Sequence, residues 1–119
     1  MKKILVVEDN EANMYLMRFI LQNAGHQVIE AWDGVAGVET AQKEKPDLIL
    51  MDMQLPLQDG YTTTKKIRAF KEGGDIPIVA ITSYAMVGDR EKTLNAGCTA
   101  YLEKPINPET FLDEVNKYL

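Results

Sequence analysis

Short, mainly apolar runs alternate with longer amphipathic stretches along the whole chain. The runs occupy residues 4–7, 28–31, 48–51, 76–81 and 100–102. Runs of this length and composition are typical of strands buried on both faces, as in parallel sheets. Strands that alternate with helices imply right-handed crossovers and a sheet covered by helices on both faces. The sequence therefore predicts an α/β fold, a single doubly wound (βα)5 domain.

The amphipathic stretches between the runs carry helix signals. In the first stretch, four side chains recur at helical spacing and are predicted to face the core: Ala12, Leu16, Phe19 and Ile20. Gly25 is expected to end this helix. Further helices are predicted from Asp33 to a point before Pro46, over residues 61–71, between Gly88 and Gly97, and after Asn107 as N-cap.

Length, charge and cysteine content set the broad class. The chain has 119 residues, which fits one domain over residues 1–119, and its net charge of −5 argues against a nucleic acid or a membrane surface as main partner. Cys98 is the single cysteine, so no internal disulfide is possible. The four apolar residues after Lys3 are too few for a signal peptide, and no stretch approaches transmembrane length. We expect a cytoplasmic protein.

Polar residues stand where four of the predicted strands end. In parallel sheets, ligands bind beyond the carboxyl ends of the strands. The residues at those ends supply three carboxylates, two hydroxyls and one ammonium: Glu8, Asp9, Asp52, Thr82, Ser83 and Lys104. We therefore expect a functional site at this edge.

This set of groups favours metal-assisted phosphoryl chemistry. Two carboxylates 4 Å apart repel by about 4 kcal/mol at an effective dielectric of about 20. A hard divalent cation such as Mg²⁺ or Mn²⁺ removes that conflict, and oxygen ligands favour it. Lys104 adds positive charge, and Thr82 offers a hydroxyl to a phosphoryl oxygen. Asp52, at the centre of the site, is the candidate nucleophile that forms an aspartyl phosphate.

Four stretches of the chain together resemble the receiver domain of response regulators in two-component and phosphorelay signalling. They are ILVVEDN at residues 4–10, DLILMD followed by LPLQDG within 47–60, AITS at 80–83, and KP at 104–105. The resemblance covers essentially the whole chain. NEAN at 10–13 and AMVGDREK at 85–92 are most similar to stand-alone phosphorelay receivers and to receivers of hybrid histidine kinases.

The resemblance implies a fold and a set of roles. It implies a flavodoxin-like sheet of strand order 2-1-3-4-5, and a cis peptide bond at Lys104-Pro105. Asp52 would accept a phosphoryl group from a phosphohistidine on a histidine kinase or a histidine phosphotransfer protein. Lys104 would pair with the phosphoryl oxygens. Four ligands would hold Mg²⁺ or Mn²⁺: Glu8, Asp9, Asp52 and the backbone carbonyl of Gln54.

The resemblance also implies a switch and two protein-binding faces. Thr82 would move to hydrogen-bond the phosphoryl group, and Tyr101 would swing inward, changing the face of the fourth helix, fifth strand and fifth helix, where a downstream protein docks. The first helix would face the phosphodonor, with six candidate contacts: Asn10, Glu11, Asn13, Met14, Met17 and Arg18. The two methionines could equally belong to the core. We expect a monomer or a weak dimer.

Two residues beside the site depart from the commonest pattern of the family. Ser83 stands where a small residue such as alanine is usual, so a second hydroxyl borders the site. Tyr84 stands two residues after Thr82, where the family controls access of water, and is predicted to slow dephosphorylation of Asp52.

Other protein classes fit the residues less well. A haloacid-dehalogenase-type phosphatase needs a second aspartate two residues after the first, where Gln54 stands. A flavin binder of flavodoxin type needs a hydroxyl- or glycine-rich loop after the first strand, where the acidic residues 8–11 would repel phosphate. No P-loop motif occurs. We expect no turnover enzyme beyond the chain's own phosphorylation and dephosphorylation. The open alternative is a receiver-fold interaction module that acts without phosphorylation.

Overall fold

Each of the five apolar runs forms a strand of one parallel sheet. The structure, a computed structural model, describes residues 2–55, 57–83 and 87–119. The strands are β1 (Lys3–Val7), β2 (Gln27–Ala31), β3 (Leu48–Asp52), β4 (Ile78–Thr82) and β5 (Ala100–Glu103), in the order β2-β1-β3-β4-β5. The predicted α/β architecture and strand order are therefore confirmed.

Three of the helices begin at polar side chains that accept hydrogen bonds from their first turns. The helices are α1 (Glu11–Asn23), α2 (Gly34–Glu44), α3 (Gly60–Ala69), α4 (Val87–Asn95) and α5 (Phe111–Asn116), with a short 3-10 helix at Lys71–Gly74. Asn10, Asp33 and Asp59 each accept the backbone N–H three residues later, which satisfies a donor that has no partner within the helix. Asn107 caps a turn that leads into α5.

Two hydrophobic clusters cover the two faces of the sheet, because successive side chains of each strand point to opposite sides. On one face, Ile4 and Val6 of β1 pack with buried residues of α1 and α5, namely Met14, Met17, Leu21, Phe111 and Val115. On the other face, Leu5 and Val7 pack with buried residues of α2 and α3, namely Ala41 and Ile67.

The predicted inward face of α1 is right for Leu16 and Ile20, which pack against the core, and wrong for Ala12 and Phe19. Phe19 is 52% exposed and Ala12 is also exposed, whereas the fully buried positions are Met14, Met17 and Leu21. Two overlapping apolar stripes run along this helix, and the unbranched methionines fill the groove over the sheet. The second stripe leaves an aromatic surface in solvent.

The strand register brings four chain segments to the same edge. Val7 pairs with Ala31 on one side and with Met51 on the other, Asp52 pairs with Ile81, and Thr82 pairs with Glu103. The residues at or just after these strand ends are therefore neighbours.

Candidate functional site

Three carboxylates meet at the carboxyl ends of β1 and β3. Asp52 is the last residue of β3, and Glu8 and Asp9 follow β1, its direct neighbour in the sheet. Glu8 is 0% and Asp52 is 1% exposed, whereas Asp9 is open to solvent. One oxygen from each of the three lies within 4.8 Å of the others. The predicted acidic cluster is thus present in the fold.

Lys104 brings one positive charge to the two buried carboxylates. Its ammonium nitrogen lies 3.1 Å from Asp52 Oδ2 and 3.7 Å from Glu8 Oε1. The backbone N–H of Lys104 donates to the carbonyl of Thr82 at 2.9 Å, which ties the start of the loop after β5 to the end of β4. The peptide bond from Lys104 to Pro105 is cis, as expected.

Each buried carboxylate has one oxygen satisfied and one without a hydrogen bond. Glu8 Oε2 accepts the backbone N–H of Asn10 at 3.0 Å, and Asp52 Oδ1 accepts that of Gln54 at 2.9 Å. Within the described parts of the chain, Glu8 Oε1 and Asp52 Oδ2 have no hydrogen-bond partner. Leaving a buried acceptor unsatisfied costs about 1–3 kcal/mol, and more for a charged group. Both oxygens face the ammonium of Lys104, so one positive charge serves two buried carboxylates.

The pKa of Glu8 records the same imbalance. The pKa of Glu8 is raised from 4.5 to about 8, chiefly by burial and next by the adjacent Asp52 carboxyl, against the lowering effects of the Asn10 amide and Lys104. One ammonium is therefore too little to keep both buried carboxylates ionised near neutral pH.

The donor set fits a hard divalent cation. All three side chains offer carboxylate oxygen, which Mg²⁺ and Mn²⁺ prefer, and the two buried oxygens without hydrogen bonds would gain a positively charged partner. Asp9, which is exposed, leaves one side of the site accessible to water or to a phosphoryl group.

The side chain of Gln54 connects the loop after β3 with the end of β4. Its Nε2 donates to Thr82 Oγ1 at 2.9 Å, and its Oε1 accepts from Ser83 N and Ser83 Oγ, both at 3.4 Å. From the sequence, the backbone carbonyl of Gln54 was expected to bind the metal ion, but the bridge that its side chain makes was not predicted. A signal was available, because a long amide side chain leaving β3 can reach the hydroxyls at the end of the adjacent β4.

Thr82 and Tyr101, the two predicted switch residues, lie on neighbouring strands. Thr82 ends β4 and is 2% exposed. Tyr101 of β5 pairs with Ala80 of β4, is partly buried, and packs against the hydrophobic cluster on the α2 and α3 side of the sheet. The guanidinium carbon of Arg90, on α4, lies 5.7 Å from the Tyr101 ring centroid, which links β5 to α4.

The exposed face of α1 differs from the one predicted to meet a partner. Met14 and Met17 are buried, so they belong to the core and drop out of that set. Tyr15 is 59% and Phe19 52% exposed, and their rings stack with centroids 6.2 Å apart. These aromatic side chains give the helix an apolar outer surface.

The polar residues predicted to contact a partner at α1 differ in their exposure and in the contacts that they already make. Asn10 and Glu11 are exposed and Asn13 is half-buried. Arg18 forms an ion pair with Glu30 of β2 and lies 5.6 Å from the Tyr15 ring centroid. A concavity of about 560 Å³ separates this helix from the end of β2, lined by Glu11, Ala12, Met14, Tyr15, Arg18 and Trp32.

Two further sequence-based expectations concern Tyr84 and membrane-spanning segments. Tyr84, predicted to shield Asp52, lies outside the described residues. No helix in the described ranges is both long enough and apolar enough to span a membrane.

Comparison with known sequences identifies the family. The response regulator receiver domain matches residues 4–116. The polar-differentiation response regulator DivK of Brucella anthropi is 40% identical over 118 residues, covering 99% of this chain and 96% of that protein. DivK of Brucella melitensis shows the same identity and coverage.

Solved structures lead to the same family. The receiver domain of sensor histidine kinase PA1611 from Pseudomonas aeruginosa, crystallised with a magnesium ion in its active site cleft, is 38% identical with a TM-score of 0.91, covering 98% of this chain and 96% of that one. The chemotaxis response regulator CheY4 of Vibrio cholerae is 31% identical with a TM-score of 0.95, covering 100% and 99%. The chain therefore belongs to the response regulator receiver domain family of two-component signalling.

Proposed function

We propose that residues 1–119 form one receiver domain that accepts a phosphoryl group on Asp52. The observation that carries this proposal is the buried pair of Asp52 and Glu8, each with one oxygen lacking a hydrogen bond and with a single lysine between them. A carboxylate that served only to end a strand would be exposed or fully hydrogen-bonded. The Asp52 carboxylate is held in place by a hydrogen bond, but it shares a single positive charge with Glu8.

The metal-binding residues would be Glu8, Asp9, Asp52 and the backbone carbonyl of Gln54. Glu8 and Asp52 are already oriented by the backbone N–H groups of Asn10 and Gln54. When bound, Mg²⁺ or Mn²⁺ supplies positive charge that offsets the repulsion between the carboxylates and an incoming phosphoryl group.

In the reaction, an Asp52 oxygen forms a bond to the phosphorus of a phosphohistidine. The phosphorus–nitrogen bond breaks, and the imidazole leaves with its electron pair. The Lys104 ammonium, 3.1 Å from Asp52 Oδ2, stabilises the negative charge that gathers on the phosphoryl oxygens. The chain catalyses its own phosphorylation and dephosphorylation and turns over no other substrate.

Phosphorylation would then shift an equilibrium between two arrangements of Thr82 and Tyr101. Thr82 would turn toward the phosphoryl group, and Tyr101 would move into the space that Thr82 leaves. Because Arg90 contacts the Tyr101 ring, this movement would reach α4 and the face formed by α4, β5 and α5. A downstream protein target would read that face.

The phosphodonor would be a histidine kinase or a histidine phosphotransfer protein in the cytoplasm. It would contact the start of α1, which adjoins the acidic site directly. Buried Met14 and Met17 are excluded from this surface, and Tyr15 and Phe19 take their place. The full set of proposed contacts is Asn10, Glu11, Asn13, Tyr15, Arg18 and Phe19.

The test is intact mass spectrometry after incubation with acetyl phosphate. We expect the parent to gain one phosphoryl group in the presence of Mg²⁺ and far less with EDTA. Asp52→Asn should gain none, and Asp59→Asn, which alters only the cap of α3, should behave like the parent. An unlabelled parent, beside a receiver that labels under the same conditions, would favour an interaction module that acts without phosphorylation.

A further inference from the structure

We propose that the Gln54 side chain is a latch that holds Thr82 in its resting arrangement. This inference rests on the proposed function and adds a regulatory element to the same site. The latch is distinct from the metal-binding role of the Gln54 backbone carbonyl, because a change of side chain leaves that carbonyl in place.

The orientation of the Gln54 amide follows from its neighbours. The backbone N–H of Ser83 can only donate, and it lies 3.4 Å from Oε1, so the oxygen of the amide must face Ser83. The amide nitrogen is thereby turned to Thr82, to whose hydroxyl oxygen it donates at 2.9 Å. Thr82 is 2% exposed, so water has little access to replace this contact.

The latch connects the two groups that phosphorylation must bring together. The backbone N–H of Gln54 holds Asp52 Oδ1 at 2.9 Å, and its side chain holds the Thr82 hydroxyl oxygen at the same distance. A phosphoryl group on Asp52 would draw Thr82 toward itself and away from the amide. The hydrogen bond from Gln54 therefore opposes the movement that switches the domain.

The consequence is a bias in the equilibrium of the domain without phosphate. A contact made only in the resting arrangement stabilises that arrangement, so its removal populates the switched one. Without the Gln54 hydrogen bond, Thr82 should leave its resting position more often, and Tyr101 should then move into the space that Thr82 leaves.

The test uses Gln54→Met, which keeps the length of the side chain and removes its hydrogen bonds. Gln58→Met is the matched control, because Gln58 lies in the same loop and also donates to a threonine hydroxyl, Thr63, at 3.1 Å, away from Thr82. A third variant, Thr82→Val, removes the hydroxyl that the latch holds.

The first readout is the set of NMR shifts of Thr82 and Tyr101 without phosphate. In Gln54→Met these shifts should move from the parent positions toward those of the phosphorylated parent, whereas in Gln58→Met they should stay at the parent positions. Shifts in Gln54→Met that match those of Gln58→Met would overturn the latch.

The second readout does not depend on phosphorylation. In urea unfolding, Gln54→Met should raise the unfolding equilibrium constant by roughly two- to tenfold, as expected for the loss of one hydrogen bond, and by clearly less in the Thr82→Val background. Equal effects in both backgrounds would overturn the latch.

The two proposals can fail separately. A parent that gains no mass from acetyl phosphate contradicts the proposed function, and the unfolding cycle then still decides whether Gln54 holds Thr82. A labelled parent with no coupling between Gln54 and Thr82 contradicts the latch alone.

Discussion

Glu8 is a buried carboxylate whose charge depends on what else occupies the site. It is fully buried beside Asp52, with one backbone N–H and one lysine in reach. A proton or a cation can each supply the missing positive charge. The two should therefore compete for the site.

The free energy of unfolding of the metal-free chain should fall as pH rises from about 4.5 to about 8. The folded pKa of Glu8 is raised from 4.5 to about 8, so in this window folded Glu8 keeps a proton that the unfolded chain has released. Stability then falls by at most about 1.4 kcal/mol per pH unit, and the contribution is fully present below the unfolded pKa. Urea unfolding at several pH values measures this slope.

Glu8→Gln is the control for that slope, because its side chain cannot ionise. The difference in stability between parent and variant should change across the window and flatten when Mg²⁺ is saturating. Parallel pH profiles for the two proteins without metal would contradict the assignment of the proton to Glu8.

Lys104→Met should lower the free energy of unfolding by about 3 kcal/mol near pH 9 and by less near pH 5. The substitution leaves two buried carboxylates without their cation, and at lower pH protonation of Glu8 relieves part of that penalty. Lys117→Met removes an exposed pair with Glu114 and should cost less than about 1 kcal/mol at both pH values. Equal losses for the two variants would show that Lys104 is not paired with the site.

At the scale of elements, the start of α3 is packed against the backbone of Asp52 and Met53. A Cβ on Gly60 would lie 2.6 Å from the Asp52 carbonyl oxygen and 2.6 Å from Met53 Cα. The N–H of Gly60 also donates to the carbonyl of Met53 at 3.2 Å. Asp59-Gly60 thus does more than mark a turn, because it sets how closely α3 approaches the site.

Gly60→Ala should destabilise the domain by about 1–3 kcal/mol, because backbone atoms must shift to admit the methyl group. It should also slow labelling of Asp52 by acetyl phosphate. Gly74→Ala is the matched control, since a Cβ there meets nothing within 4 Å. Thermal unfolding and the labelling rate test both effects, and a Gly60→Ala protein that behaves like Gly74→Ala would contradict the close packing.

The exposed aromatic side chains of α1 should affect the rate of phosphoryl transfer from a phosphohistidine donor but have little effect on stability. Replacing Tyr15 and Phe19 together by serine removes exposed aromatic side chains and should change the free energy of unfolding by less than about 1 kcal/mol. Phosphoryl transfer from a phosphohistidine donor should slow by roughly tenfold, as for the loss of an apolar contact, while labelling by acetyl phosphate stays unchanged. Equal slowing of both reactions would place the effect in the site itself.

Across the whole molecule, the sequence predicted what depends on local pattern and missed what depends on packing. The five strands follow from apolar runs, and the acidic site follows from residues at their ends. The strand order came from resemblance to the family, since no local pattern determines which strands are neighbours. The core-facing residues of α1 were predicted only in part, with Leu16 and Ile20 right and Phe19 wrong, because two apolar stripes overlap and only contact with the sheet selects Met14 and Met17.

The side chain of Gln54 shows a second limit. The resemblance implied that β3 and β4 are adjacent, but the register that brings the Gln54 side chain to Thr82 is a long-range property that no local pattern shows. Likewise, the burial of Glu8 and its raised pKa depend on residues from other segments of the chain that pack around it. The meeting of Glu8, Asp9 and Asp52 at one edge of the sheet could be predicted, but the burial and charge state of Glu8 could not.

The proposed function of the whole molecule depends on Asp52 being the residue that carries the phosphoryl group. The most direct measurement is to treat the chain with acetyl phosphate and Mg²⁺, reduce it with borohydride, which converts an aspartyl phosphate to homoserine, and locate the product by tandem mass spectrometry. We predict homoserine at position 52 alone, and none when EDTA replaces Mg²⁺. Homoserine at position 9 or elsewhere, or no homoserine in a chain that has gained phosphoryl mass, would contradict the central claim.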